Sequence, residues 1–149
     1  MRWLDCQFVL LAALNFLAAY PPCSDEYPAW QTSPYIRPYP VGENYPLYQG
    51  NCKLGGHHGV YRYSYDFLMP IGEVVTVARG GSVYEVRTGS VDGGGSDHLV
   101  KIQHEDGTIA TYSHLHNALV AVGQVIQAGE PIARSGNTGK TGGTPHLHS

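Results

Sequence analysis

The sequence predicts an all-β fold, a small antiparallel β domain, and three observations carry that prediction. Short alternating or β-branched runs recur from Tyr61 onward, at the period of a half-buried strand. Turn formers are abundant, with 19 Gly and 10 Pro among 149 residues. Asp106-Gly107 stands between two alternating runs, the strongest short hairpin signal. The chain is long enough for one sizeable core, not two.

Taken in order, residues 1–19 read as an export signal. Arg2 gives a positive flank, and Phe8 to Ala19 is almost wholly apolar but shorter than the ~20 residues a bilayer span requires. Ala18-Ala19 supplies a small-residue cleavage site. Residues 20–50 carry so much Pro and Tyr that a helix is excluded, and an extended arm lying on the domain is expected. Residues 51–149 form the domain proper. Tyr61 to Phe67 alternates aromatic and polar residues and predicts a strand; Glu73 to Ala78 is a β-branched run; Ser82 to Arg87 follows the Gly80-Gly81 break. Gly89 to Asp97 reads as a flexible loop. Leu99 to His104 and Thr108 to Leu115 are the two arms of the hairpin, and a short turn is expected near His116 to Leu119. Val120 to Ile132 suggests short strands around tight turns. Gly136 to Thr144 is a glycine-rich loop, and Pro145 to Ser149 opens a last strand.

Charged residues are scarce at 14%, and the formal net charge is −3 with no basic run. Phosphate contact needs clustered Lys and Arg, so nucleic-acid binding is excluded as a function class. There are three cysteines, Cys6, Cys23 and Cys52. If Cys6 leaves with the signal, the remaining pair predicts a Cys23–Cys52 disulfide in an oxidising compartment.

The unusual feature is eight histidines in a weakly charged chain. His146 and His148 are two apart on an expected strand, so both imidazoles project from one face. Ala110, Tyr112 and His114 share a face of the hairpin's return strand. If that face meets the same groove, three imidazoles converge. Asp66 lies in an aromatic run whose only basic neighbour in sequence is Arg62. Such a carboxylate needs a partner to be buried cheaply, and a metal ion is one. Two His nitrogens and one carboxylate oxygen make a three-ligand zinc set with an open position for water.

From about Tyr39 to Ser149 the chain resembles the M23 peptidases of the lysostaphin and LytM type. The carrying stretches are GGHHGVYRYSYDFLMPIGEVVTVARGGSV and TYSHLHNALVAVGQVIQAGEPIARSGNTGKTGGTPHLH. The resemblance implies a LytM-type antiparallel β-sheet of barrel-sandwich character and one Zn2+ held by His57, Asp66 and His148. His57 precedes Asp66 by nine residues, and His58 is the competing ligand. His114 and His146 match the family's non-ligand catalytic histidines. His98, His104 and His116 match no catalytic position and are expected at the surface. The implied activity is metalloendopeptidase cleavage of peptide stems or crosslinks in peptidoglycan, by an exported, periplasmic or wall-associated monomer with no membrane span once the signal is removed.

The family's last strand runs several residues beyond its HxH, whereas this sequence stops one residue after His148, so either the domain is truncated there or metal binding must hold its end. That keeps open a rival reading as a catalytically inactive LytM-like module that regulates wall hydrolases. A lipoyl- or biotinyl-type carrier is suggested by the turns VGQVI and AGEPI, but no Lys occupies the matching hairpin tip.

Overall fold

In the computed structural model, residues 30–53 and 56–149 are described. The predicted signal at residues 1–19, most of the first part of the Tyr/Pro arm and Cys23 fall outside them. Cys52 is disulfide-bonded.

Among the described residues ten short strands follow one another: β1 (Leu47–Gln49), β2 (Asp66–Phe67), β3 (Val74–Thr76), β4 (Gly81–Arg87), β5 (Leu99–Gln103), β6 (Ile109–Tyr112), β7 (Leu115–Ala118), β8 (Val125–Ile126), β9 (Pro131–Ser135) and β10 (Leu147–His148). They form three antiparallel sheets, ordered β1-β2-β10, β3-β9-β7 and β6-β5-β4-β8. Among the described residues the only helical pieces are two 3-10 turns, Trp30–Thr32 and Gly59–Tyr61. No helix among them is long and apolar enough to cross a membrane. The all-β, antiparallel expectation matches this architecture.

The hairpin of β5 and β6 forms for the reason its sequence states. Gly107 takes φ 80°, a region that only glycine enters freely. The Asp106 carboxylate accepts from the Thr108 amide at 3.1 Å and its hydroxyl at 2.6 Å, closing the turn. Val100 and Ile102 on β5 are fully buried, alternating with half-exposed Lys101 and exposed Gln103. These two join Val75, Val83, Ile126 and Ile132 in one apolar core. Tyr112 lies in it too, its hydroxyl accepting from the Ala78 amide at 2.8 Å. Its burial pushes the phenol up to about 12.

Residues of the Tyr/Pro arm lie extended against this core. Ile36 donates to the Ala78 carbonyl at 2.8 Å, and Pro38 accepts from the Thr76 amide at 3.1 Å. The buried Tyr39 ring meets Tyr45 and Phe67 edge-on at 5.1 and 5.5 Å, an arrangement aromatic quadrupoles favour.

Three expectations need correction. The aromatic alternation of Tyr61 to Phe67 does not make one strand, because the amides of Tyr61, Arg62 and Ser64 are taken by the carbonyls of His58, Gly59 and Tyr61. Only the end of the run is extended: Asp66 and Phe67 form the strand, and Tyr65 exchanges amide and carbonyl bonds with Ser149 at 2.7 and 3.0 Å, while the rings of Tyr61, Tyr63 and Tyr65 stay exposed. The segment His116 to Leu119 is not a turn: residues 115–118 pair with β9 as a strand. His98 and His104 are not surface residues, at 6% and 3% exposure. His104 donates from Nδ1 to the Gly80 carbonyl at 2.9 Å. His98 accepts the Ser90 amide at Nε2 and donates from Nδ1 to the His116 carbonyl, at 2.6 and 3.0 Å. Each ties segments distant in sequence together, which period-2 reasoning does not register. His116 is exposed and pairs with Asp92.

Candidate metal centre

The small sheet β1-β2-β10 exists to bring distant residues together. In its register His148 lies opposite Asp66, and Gln49 opposite Asp66 on the other side. Leu147, between His146 and His148, points the other way and is fully buried, anchoring β10 in the core. Ser113 extends the sheet through a bridge to His148, its amide donating to the His148 carbonyl at 2.8 Å.

Three ligand-type atoms meet there. Asp66 Oδ1 is 2.8 Å from His148 Nδ1 and 3.1 Å from His57 Nε2, and the two nitrogens are 3.3 Å apart. His57 donates from Nδ1 to the Gly50 carbonyl at 2.8 Å. A carbonyl can only accept, so that contact places the proton on Nδ1 and leaves the Nε2 lone pair directed at Asp66. Metal–ligand bonds of about 2.0–2.1 Å at tetrahedral angles put ligand atoms about 3.3 Å apart, so the spacing fits one zinc-sized ion. His57, Asp66 and His148 are the group able to hold a metal among the described residues. His58, the competing candidate, is exposed, and His57 is buried. Burial alone would push the Asp66 carboxyl up; the hydrogen bond from His148 and the charges of His148 and His57 outweigh it and hold the group below the usual carboxylate range.

His114 and His146 flank the cluster. Their rings are 4.6 Å apart, and the His114 ring is 6.1 Å from that of His148. The imidazoles converge, but not by the expected route. Tyr112 points into the core, while His114 adopts φ 62° between β6 and β7. That left-handed conformation costs a non-glycine residue about 1–2 kcal/mol, and it turns His114 out of the strand's alternation. Its Nδ1 donates to the Thr138 carbonyl at 2.8 Å, as that of His146 does to Thr144 at 2.8 Å. Both Nε2 atoms are thereby left free. Burial lowers the His146 imidazole. For His114 burial also lowers it, but the hydrogen bond and charge of Asp97 prevail and the group is raised. At the rim, Tyr61 meets His148 edge-on at 5.7 Å, and Tyr48 tilts over His146 at 6.1 Å.

The loop containing residues 89–97, expected to be flexible, is fastened instead. Gly93 donates to the Asn137 carbonyl at 2.9 Å, and Asp92 holds both the Asn137 amide and His116. Asp97 was outside the predicted site, as was Thr138. The signal for Asp97 was faint: a lone carboxylate beside a histidine at the end of a glycine-rich loop.

Fold and cluster together define a small antiparallel β domain with a His-Asp-His cluster that could hold a metal ion and two further imidazoles beside it. The sequence model of Peptidase family M23 matches residues 60–149. The chain belongs to that family. The match takes in Asp66, His114, His146 and His148 and starts three residues after His57. Among curated relatives, the peptidoglycan DD-endopeptidase ShyA of Vibrio cholerae is 33% identical over 123 residues, covering 80% of this chain and 26% of the relative. Lysostaphin of Staphylococcus simulans is 34% identical over 114 residues, covering 76% and 22%. The chain thus spans about a quarter of the length of such relatives. Among solved structures, a zinc-containing peptidase from Vibrio cholerae superposes with a TM-score of 0.59 at 32% identity, covering 76% of this chain and 35% of that one.

Proposed function

We propose that this chain is a zinc-dependent metalloendopeptidase domain that hydrolyses peptide bonds in the stems or crosslinks of peptidoglycan, in the periplasm or at the cell wall. The observation that carries the reading is the convergence of His57 Nε2, Asp66 Oδ1 and His148 Nδ1 on one point, with His114 and His146 alongside. Membership of the family and its likeness to peptidoglycan endopeptidases support the substrate class.

His57, Asp66 and His148 would hold the ion. Bound there, zinc supplies a water acidified to near neutral pH and polarisation of the scissile carbonyl. The protein's own part falls to His114 and His146. With each Nδ1 proton engaged by a backbone carbonyl, each Nε2 can take or return a proton. One accepts the proton of the attacking water; the other, protonated, donates to the oxygen on which negative charge develops. The exposed Tyr48 and Tyr61 rings border the position an extended peptide would occupy.

The test is elemental analysis of the purified chain lacking residues 1–19, with digestion of purified peptidoglycan beside it. The expected result is about one zinc per chain and new free amino termini in the digest. A folded protein that binds no zinc overturns the proposal and favours the non-catalytic regulatory module.

A further inference from the structure

We infer that Asp97 is a positioning residue of this site: its carboxylate holds His114 in the backbone conformation that presents Nε2 beside the metal centre. This rests on the role proposed above for His114.

The inference begins with the left-handed φ of 62° at His114. Among the described residues only Cys52 shares that feature outside glycine. A histidine stays there only when its surroundings over-determine it. Leaving the alternation also removes the His114 amide from the ladder, and Asp97 Oδ1 receives it at 2.7 Å. The same oxygen lies 3.4 Å from His114 Nδ1, whose proton goes mainly to the Thr138 carbonyl at 2.8 Å. One carboxylate therefore addresses both the main chain and the ring of a single histidine.

Asp97 is itself held in place. Gly139 packs so closely that a Cβ there would stand 3.0 Å from the Asp97 Cβ. The next residue, His98, donates its amide to Thr138 Oγ1 at 3.0 Å, and that hydroxyl donates to the Leu115 carbonyl at 3.0 Å. Thr138 thus ties together the residues that follow Asp97 and His114. Asp97 makes no contact with His57, Asp66 or His148 in this arrangement, so its effect is expected on turnover and not on metal retention.

The experiment compares wild type, Asp97→Ala, Asp97→Asn, His114→Ala and the Asp97→Ala/His114→Ala double variant, all as the zinc-loaded chain acting on soluble cross-linked muropeptides. Asp97→Ala is expected to lower kcat by about 10- to 100-fold, the range for groups that orient a functional side chain, with KM and zinc content unchanged. Asp97→Asn, which keeps an oxygen for the amide, is expected to recover part of that loss. In the His114→Ala background, Asp97→Ala should change the rate by less than about twofold. A second readout is independent of turnover: in wild type, and in Asp97→Asn, the His114 backbone amide should be protected from hydrogen exchange and shifted downfield in NMR spectra, and in Asp97→Ala it should not. Unchanged His114 amide exchange in a folded Asp97→Ala protein overturns the inference. So does an equal kcat loss with His114 already removed. A wild type with no peptidase activity would refute the proposed function alone, since the amide measurement still decides whether Asp97 holds His114.

Discussion

The β4–β5–β6 meander and the β1-β2-β10 corner are built from the same chemistry and depend on it to different degrees. In the meander, Glu85 meets Lys101 Nζ at 2.6 Å and Arg87 at 2.7 Å, on half-exposed side chains. Water and salt screen such pairs, and the strands would form without them. In the corner, Asp66 is 6% exposed and faces two imidazoles. There the carboxylate cannot be left unpartnered, and the strands that carry it, two or three residues each, have little hydrogen bonding of their own. The meander holds its charges; the corner is arranged around one. An ion-pair count would rank the two regions alike, whereas burial ranks them far apart.

Four changes would break or sharpen that contrast. The largest effect belongs to His148→Ala, which should abolish both zinc binding and peptidoglycan cleavage, while His114→Ala should keep zinc and lose most activity. Elemental analysis and a digestion assay measure both, and equal metal loss in the two variants would reject the division of roles. Next is Leu147→Ala, which leaves both histidines of the HxH in place and removes the fully buried side chain between them. A loss of about 2–5 kcal/mol is expected by denaturant titration, with weakened zinc retention as β10 loosens.

Third is alkaline pH. The Tyr112 phenol is pushed up to about 12 by burial, against 10.0 for an exposed tyrosine. The unfolded chain therefore loses this proton first, and stability present below pH 10 should fall as pH rises towards 12. The amplitude should be about 1–3 kcal/mol, and Tyr112→Phe should remove that part of the slope in equilibrium unfolding. The smallest effect is Glu85→Ala, expected to cost less than about 0.5 kcal/mol and to shrink further at high salt. A cost as large as that of Leu147→Ala would overturn the ranking by burial.

What was legible in the sequence was what neighbours in the chain decide. Asp106-Gly107 between alternating runs specified the β5–β6 hairpin because a two-strand turn is a local event. His146 and His148 were separable from Leu147 by period alone, and the buried Leu147 agrees. Tertiary structure decided whatever depended on a partner far along the chain. Tyr61 to Phe67 has a strand's pattern, yet only its last three residues, Tyr65 to Phe67, pair across to a distant segment, since local turn carbonyls take the amides of Tyr61, Arg62 and Ser64. His98 and His104 look like surface polar residues until the fold buries them and gives both nitrogens of His98 and the Nδ1 of His104 backbone partners. His57 and His58 are equivalent as letters; the Gly50 carbonyl and the Asp66 carboxylate distinguish them. Asp97 carries no motif at all. Its part follows from one left-handed residue at His114, a backbone choice that no side-chain period encodes. The sequence by itself determined an all-β domain and the set of imidazoles and carboxylates available to it. Only the fold decided which of them meet, because a ligand set is a statement about distances between residues up to 91 positions apart, and local pattern does not extend that far.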